Sequence, residues 1–347
     1  MAPTSTPTAA PAGAWTPTGL MPGPRHYHTA TRLADGRVLV AGGSDGTDLP
    51  REAQMYDPAT QSWAEAGMMA FARYNHTATL LVDGRVLVAG GLDRTNDTLV
   101  SAEIFDPEAG AWSAVADMDR ARGSHTATLL PEGTVLIAGG SSASGHGLAI
   151  RSAELFDPER GTWTAAEGLI EARWGHTATA LDDGTVLVTG GVGRFTGLGL
   201  ASAEVYDPVR GRWTTTGAMG HARIKHAATL LFDGTVLVAG SGDARSAERY
   251  DPANGTWTST RRMTEFRSNY PKATRLLDGR VLMTDGGEPG SAEIYDPRTG
   301  SWARIEHLLL VRYDATATLL LDGTVLVAGG YGDDESGSSA ELYRPSS

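Results

Sequence analysis

The stretch that decides the fold is Arg73-Tyr74-Asn75-His76-Thr77-Ala78-Thr79-Leu80-Leu81-Val82-Asp83-Gly84-Arg85-Val86-Leu87-Val88-Ala89-Gly90-Gly91. Asp83-Gly84, set between two apolar runs, is a strong hairpin signal, because such a turn needs positive φ and glycine supplies it freely. The residues around Thr77 to Leu81 therefore read as one strand, and Val86 to Ala89 as a second, antiparallel to it. This second strand is apolar at every position instead of alternating, the pattern of a strand buried on both faces. Gly90-Gly91 ends it where the backbone turns or approaches a neighbour closely.

Outward from that core, a variable loop leads to Ser101-Ala102-Glu103-Ile104-Phe105-Asp106-Pro107 and then to a last strand beginning near Trp112. Proline cannot donate to a sheet ladder and favours a turn, so Asp106-Pro107 closes the third strand. The unit is a four-stranded meander, and it recurs. Tryptophans stand at Trp15, Trp63, Trp112, Trp163, Trp213, Trp257 and Trp302, at intervals of 44 to 51 residues. A period of that size marks a repeat architecture in which each unit buries its faces against its neighbours. The 347 residues thus count repeats, not domains.

Val-Ala-Gly-Gly, then Ala-Glu-x-Tyr-Asp-Pro, then a Trp some five residues later resembles the kelch repeat, over nearly all of residues 15–347. The resemblance implies an all-β fold: a seven-bladed kelch-type β-propeller with four antiparallel strands per blade around a central channel. The glycine-pair strand occurs seven times, but Asp-Pro followed by Trp only six, because the chain stops at Leu342-Tyr343-Arg344-Pro345. Trp15 and its neighbours match a fourth strand with no first three strands of their own. The N-terminal strand is therefore expected to pair with Ala340 to Tyr343, completing the last blade and leaving no sheet edge exposed. Residues 1–14 are expected to be disordered or extended, and 15–347 to form the single propeller, a monomer since no edge demands a partner.

Composition narrows the partners. A net charge of -12 and a pI near 5.2, with Lys and Arg spread along the repeats, provide no basic stripe, so neither nucleic acid nor an anionic membrane is an expected partner. Zero cysteines exclude a disulfide framework, a thiolate metal site and a cysteine nucleophile. Met1 to Ala14 lack the basic and apolar regions of a signal peptide, so the chain reads as cytoplasmic, although a secreted protein relieved of its leader would read the same. No apolar run reaches the length of a membrane-spanning helix. Walker and dinucleotide-binding patterns are absent, and no cofactor is expected. The galactose oxidase group uses a related propeller to carry copper with a cysteine-modified tyrosine, which a chain without cysteine cannot form.

Residues common to most repeats are assigned to the blade. Arg25, Arg73, Arg122, Arg173, Arg223 and Arg312, with Glu103, Glu154, Glu204, Glu248, Glu293 and Glu341, are expected to form ion pairs within or between blades. The repeat histidines His28, His76, His125, His176 and His226 sit at equivalent positions on separate blades, whereas metal ligands must converge on one ion, so no metal is expected. The acidic loops at Asp45-Gly46-Thr47-Asp48 and at Asp333, Asp334 and Glu335 lack the spacing of a calcium loop and read as solvated charge.

The copies disagree just before the first strand and in the loop after the second, connections that lie on one face in kelch-like propellers. Before the histidine position stand Tyr27, Asn75, Ser124, Gly175, Lys225, Tyr270 and Asp314, and one residue earlier His26, Tyr74, Gly123, Trp174, Ile224, Asn269 and Tyr313. Aromatic and polar groups mixed in this way resemble the lining of a ligand site. Units five to seven depart furthest: Pro271-Lys272 replaces His-Thr, Asp285 and Ser241 replace glycines, and Ala315 replaces histidine. Longer loops in units one to four predict a mouth walled on one side. Lys225, Tyr270 and Asp314 are candidates for acid–base catalysis, with His26, Tyr27, Tyr74, Asn75, Trp174, Lys272, Asp285 and Tyr313 as binding residues. Two readings follow. One is a small-molecule site at the channel mouth, extending to a cofactor-independent lyase, cyclase or isomerase. The other is a protein-interaction platform using the long loops of units one to four.

Overall fold

The computed structural model describes residues 13–142, 148–194, 198–268, 270–287, 290–332 and 336–346. Seven four-stranded antiparallel sheets follow one another along the chain, and no helix occurs among these residues. In blade two the strands are Thr77–Leu80, Val86–Ala89, Ala102–Asp106 and Ala111–Ala114. The first strands of successive blades pack side by side from Thr29–Arg32 round to Thr316–Leu319, which returns to Thr29–Arg32, so they line the centre of a closed ring. Each Asp-Gly type turn places its glycine at positive φ, as at Gly84 (87°).

The apolar second strand of every blade is buried at all four positions. Its two faces feed two different cores: Leu87 packs toward blade three and Val86 and Val88 toward blade one. The molecule accordingly has seven interblade cores instead of one. Tryptophans of the outer strands add a staple, each tilted on the aromatic ring of its own third strand, as in Phe105–Trp112 at 5.1 Å. Trp112 Nε1 also donates to the Ala66 carbonyl of the preceding blade at 2.8 Å.

Closure follows the expected route. Ala14–Pro17 pairs antiparallel with Ala340–Arg344, Trp15 opposite Tyr343, and supplies the outer strand of blade seven. Trp15 Nε1 donates to the Glu306 carbonyl at 2.9 Å, tying the N-terminal strand to blade six as well. The expectation for residues 1–14 falls almost wholly outside the described residues.

The repeated Arg and Glu do pair, within each blade: Arg73–Glu103 at 2.8 Å, Arg122–Glu154 at 2.6 Å, and Arg173–Glu204, Arg223–Glu248 and Arg312–Glu341 all at 2.7 Å. Each guanidinium also donates to backbone carbonyls, as Arg73 does to Gly90 and Ser101. Two positions differ from the expectation. Glu293 pairs with Arg267 at 2.9 Å, an arginine displaced by one residue in the register of unit six. Arg25 has no carboxylate in the matching place, which is Gln54. It donates to the Glu52 carbonyl instead, and burial pushes its pKa down to about 10, against the opposing charge of Glu52.

The reason lies in the chain leading into blade one. In six blades the glutamate also accepts the backbone N–H that follows a buried Met or Leu, as from Ala70, Asp119 and Leu309. The corresponding residue after Met21 is Pro22, which has no N–H to give. A buried carboxylate there would lose a donor, and the neutral Gln54 stands in its place. Restoring both partners should therefore be cooperative. In a double-mutant cycle of Pro22→Ala and Gln54→Glu followed by urea unfolding, the pair is expected to exceed the sum of the singles by about 1 kcal/mol. Strict additivity would refute this account.

Candidate functional site at the channel mouth

The anchoring arginine and the start of the first strand lie so close in sequence that the chain must reverse between them. It does so at one residue per blade, and all seven are left-handed: Tyr27 (φ 54°), Asn75 (50°), Ser124 (51°), Gly175 (61°), Lys225 (54°), Tyr270 (49°) and Asp314 (54°). These are the seven variable positions singled out from the sequence. Backbone hydrogen bonds join neighbours in this ring: Ser124 N donates to Asn75 O at 3.0 Å, Gly175 N to Ser124 O at 3.1 Å, Lys225 N to Gly175 O at 2.9 Å, and Tyr270 N to Lys225 O at 3.1 Å. A left-handed conformation costs a non-glycine residue about 1 kcal/mol, yet only one of the seven is glycine.

The residues one position earlier bridge to the loop after the second strand, as in His26 with Ser44, Tyr74 with Leu92, Trp174 with Val192 and Tyr313 with Tyr331. They form an outer tier. A cavity of about 270 Å³ lies between the tiers, lined by Tyr27, Tyr74, Asn75, Trp174, Lys225 and Tyr270 among others. A second, of about 290 Å³, runs from His26, Tyr27 and Tyr74 toward Asp48, Arg94 and Asn96.

Asp314 is the centre of the electrostatics. Only 4 % exposed, it has no hydrogen-bond partner of regular geometry on either carboxylate oxygen among the described residues. The Tyr27 hydroxyl faces it, and the Tyr27 and Tyr270 rings, from blades one and six, meet across blade seven at 6.0 Å, nearly edge to face. Burial pushes the Asp314 pKa up, opposed by Lys272, the Tyr27 hydroxyl, His26 and Lys225. Burial and the Asp314 charge raise both tyrosines, so their hydroxyls stay protonated as donors. Lys225 Nζ lies 4.4 Å over the Tyr270 ring, and burial lowers its pKa against the pull of Asp314. Lys272 Nζ lies 5.7 Å from the same ring.

The structure explains why Lys272 and Asp285 fall in unit six. At five interfaces a histidine donates to or accepts from the first threonine of the preceding blade, as His76 Nε2 with Thr29 at 3.0 Å and His28 Nε2 with Thr316 at 3.1 Å. These imidazoles are buried and neutral; burial and the neighbouring Arg73 push His76 down to about 3. At the two interfaces of blade six both of these repeat positions are changed, to Ala227 and Pro271 at one and to Lys272 and Ala315 at the other. The first glycine of the pair normally abuts the next blade's histidine; a Cβ at Gly90 would stand 2.8 Å from His125 Cε1. With Ala315 there instead, Asp285 fits at φ 65° and accepts the Ala315 N–H at 3.0 Å. These departures are one coupled exchange of packing for charge.

Of the sequence candidates, Lys225, Tyr270, Asp314, His26, Tyr27, Lys272 and Asp285 thus form one connected group. Tyr74, Asn75 and Trp174 line the adjoining cavity. Tyr313 joins the group through Tyr331, 5.4 Å from it and 5.5 Å from His26, a half-exposed tyrosine missed from the sequence because its loop column is serine, leucine, valine or glycine elsewhere. Asp45 is satisfied by its own loop, accepting from Thr47 and Asp48. Asn269, Asp333, Asp334, Glu335 and parts of the loops of blades three and four lie outside the described residues.

This is a seven-bladed β-propeller, and three of its blades match the Kelch motif. The Kelch motif model matches residues 24–69, 73–119 and 173–220, which correspond to blades one, two and four. A solved fungal alcohol oxidase of the AA5 family, in complex with copper, is similar with a TM-score of 0.78 and 20 % identity, over 96 % of this chain and 76 % of its own. At that identity the likeness is one of fold. A search of curated proteins finds no match. The mouth does not fit a tyrosine–cysteine copper centre: the chain has no cysteine, five of its histidines are each engaged by a threonine on another blade, and no metal-ligating cluster occurs among the described residues.

Asp285 gives a pH test. Burial raises its pKa to about 6, with Lys272 opposing and Asp314 adding to the shift. The folded state therefore binds this proton more tightly than the unfolded chain, and stability is lost as pH rises through about 6. Asp285→Asn, which tolerates positive φ, should lose less stability than wild type between pH 5 and pH 7.5, by on the order of 1 kcal/mol. Parallel pH–stability curves for the two proteins would sink the assignment.

Proposed function

We propose that the chain binds a small polar ligand at the channel mouth and that the Lys225–Tyr270–Asp314 group performs proton transfer on it without a cofactor. The observation that carries this reading is the buried Asp314 carboxylate, which among the described residues has the Tyr27 hydroxyl facing it and no hydrogen-bond partner of regular geometry on either oxygen. Burying a carboxylate whose hydrogen-bonding capacity is largely unused is costly, and a role in a site is one reason for a protein to keep it. The left-handed ring supports the same reading: six of its residues keep side chains where glycine would relieve the backbone.

Chemically, the group holds an acid and a base in complementary states. The raised carboxyl of Asp314 and the lowered amine of Lys225 bring both groups toward the range where protons exchange at neutral pH. Tyr27 and Tyr270 supply protonated hydroxyls that orient a ligand oxygen, and Trp174 and Tyr74 offer apolar walls. The lyase, cyclase or isomerase class fits such a site because none requires an electron acceptor.

Small hydroxy acids, sugars and amino acids screened by thermal shift should include a stabilising ligand for the wild-type protein. That shift, and any turnover, should fall at least tenfold in apparent affinity or rate in Asp314→Asn, Tyr270→Phe and Lys225→Gly. Lys225→Gly should itself melt no lower than wild type, since it relieves a left-handed backbone. A ligand that binds all three variants as it binds wild type would remove the site.

A further inference from the structure

Of the 29 Lys and Arg residues in the chain, only Lys225 and Lys272 are lysines. Both stand at the mouth, and both point their ammonium groups at one aromatic ring, that of Tyr270. Every other cationic position, including the buried blade anchors and the surface pairs at Arg37, Arg85 and Arg280, is filled by arginine. A chain that uses arginine for charge everywhere else has no electrostatic reason to change residue type twice within one site. Lysine differs from arginine in one decisive respect, which is that its amine can lose a proton and act as a nucleophile.

The two amines are not equivalent. Lys272 begins the first strand of blade six and shares its surroundings with two carboxylates, Asp285 and Asp314. Lys225 forms no ion pair within 4 Å among the described residues, lies against an aromatic face and lines the 270 Å³ cavity. Burial lowers its pKa against the pull of Asp314, and a lowered amine pKa is the feature of lysines that form covalent intermediates.

We infer that Lys225 is a nucleophilic amine that captures a small aldehyde or 2-oxo acid as an imine in the mouth cavity. This rests on the reading of the mouth as a ligand site and assigns its ligand a carbonyl group. The step balances without a redox partner. The Lys225 nitrogen adds to the carbonyl carbon, a C–N bond forms and the C–O bond breaks. The two protons that nitrogen gives up leave with the carbonyl oxygen as one water. Asp314, beside the Tyr27 hydroxyl and in the electrostatic field of Lys225, relays them, and the Tyr270 hydroxyl steadies the departing oxygen. Lys272 balances the carboxylates and takes no covalent part. The cavity, about 270 Å³, has room for a small carbonyl compound of this kind.

Because the chain holds two lysines, the site of capture is read without ambiguity. Wild type, Lys225→Arg and Lys272→Arg are incubated with millimolar glyceraldehyde or pyruvate and reduced with borohydride, then analysed by intact mass and peptide mapping. One adduct is expected with at least one probe, at least tenfold more on Lys225 than on Lys272 or the terminal amine, lost in Lys225→Arg and kept in Lys272→Arg. Competitive acetylation at pH 7 should label Lys225 at least tenfold faster than Lys272. An adduct spread evenly over the amines, or no adduct with either probe, overturns the inference. If a carbonyl-free ligand from the thermal-shift screen still binds wild type in that case, the mouth remains a ligand site and only its covalent chemistry is withdrawn.

Discussion

The buried arginine at the entry to each blade is the constraint on which the rest of the structure depends. Its guanidinium donates to carbonyls at the end of the second strand and the start of the third while pairing with a glutamate on the third strand. One side chain thus fixes three elements of the meander in mutual register. Removing one partner of such a pair typically costs about 3 to 5 kcal/mol, because the other is left charged and dry. The anchor also dictates the mouth: with the arginine pinned and the first strand beginning a few residues later, the intervening chain must turn through a left-handed residue. Scaffold and site are two ends of one short segment.

That linkage accounts for what was legible in the sequence. Strand order, the doubly buried second strand and ring closure through Trp15 all depend on local pattern repeated seven times, and repetition averages out local noise. The seven ring positions were visible as variation, but their shared left-handed conformation was not, since Tyr, Lys and Asp carry no sign of positive φ. Arg267 escaped because unit six holds one extra residue between its anchor and its first strand. Gln54 has its reason in Pro22, more than thirty residues earlier, which has no N–H for a glutamate to accept.

The departures in units five to seven are visible in the sequence, but not how they are coupled, because the coupling runs between neighbouring blades. Interfaces, not blades, are where they make sense: Ala227 and Pro271 change together at one, and at the next Asp285 accepts the N–H of Ala315. A change on one blade opens space that a change on the next one fills.

The pairing of Ala14–Pro17 with Ala340–Arg344 also sets the order in which the molecule can be built. Each interblade core needs two blades, so as the chain is synthesised the cores can assemble in succession, from that between blades one and two to that between six and seven. The core between seven and one, and the outer strand of blade seven, must wait for the two ends to meet. Asp314, Lys272 and Asp285 come from the last units to emerge, while Tyr27 and His26 come from the first. The site is therefore incomplete until the ring is closed, and a protein stalled before closure would carry sound blades and no working mouth.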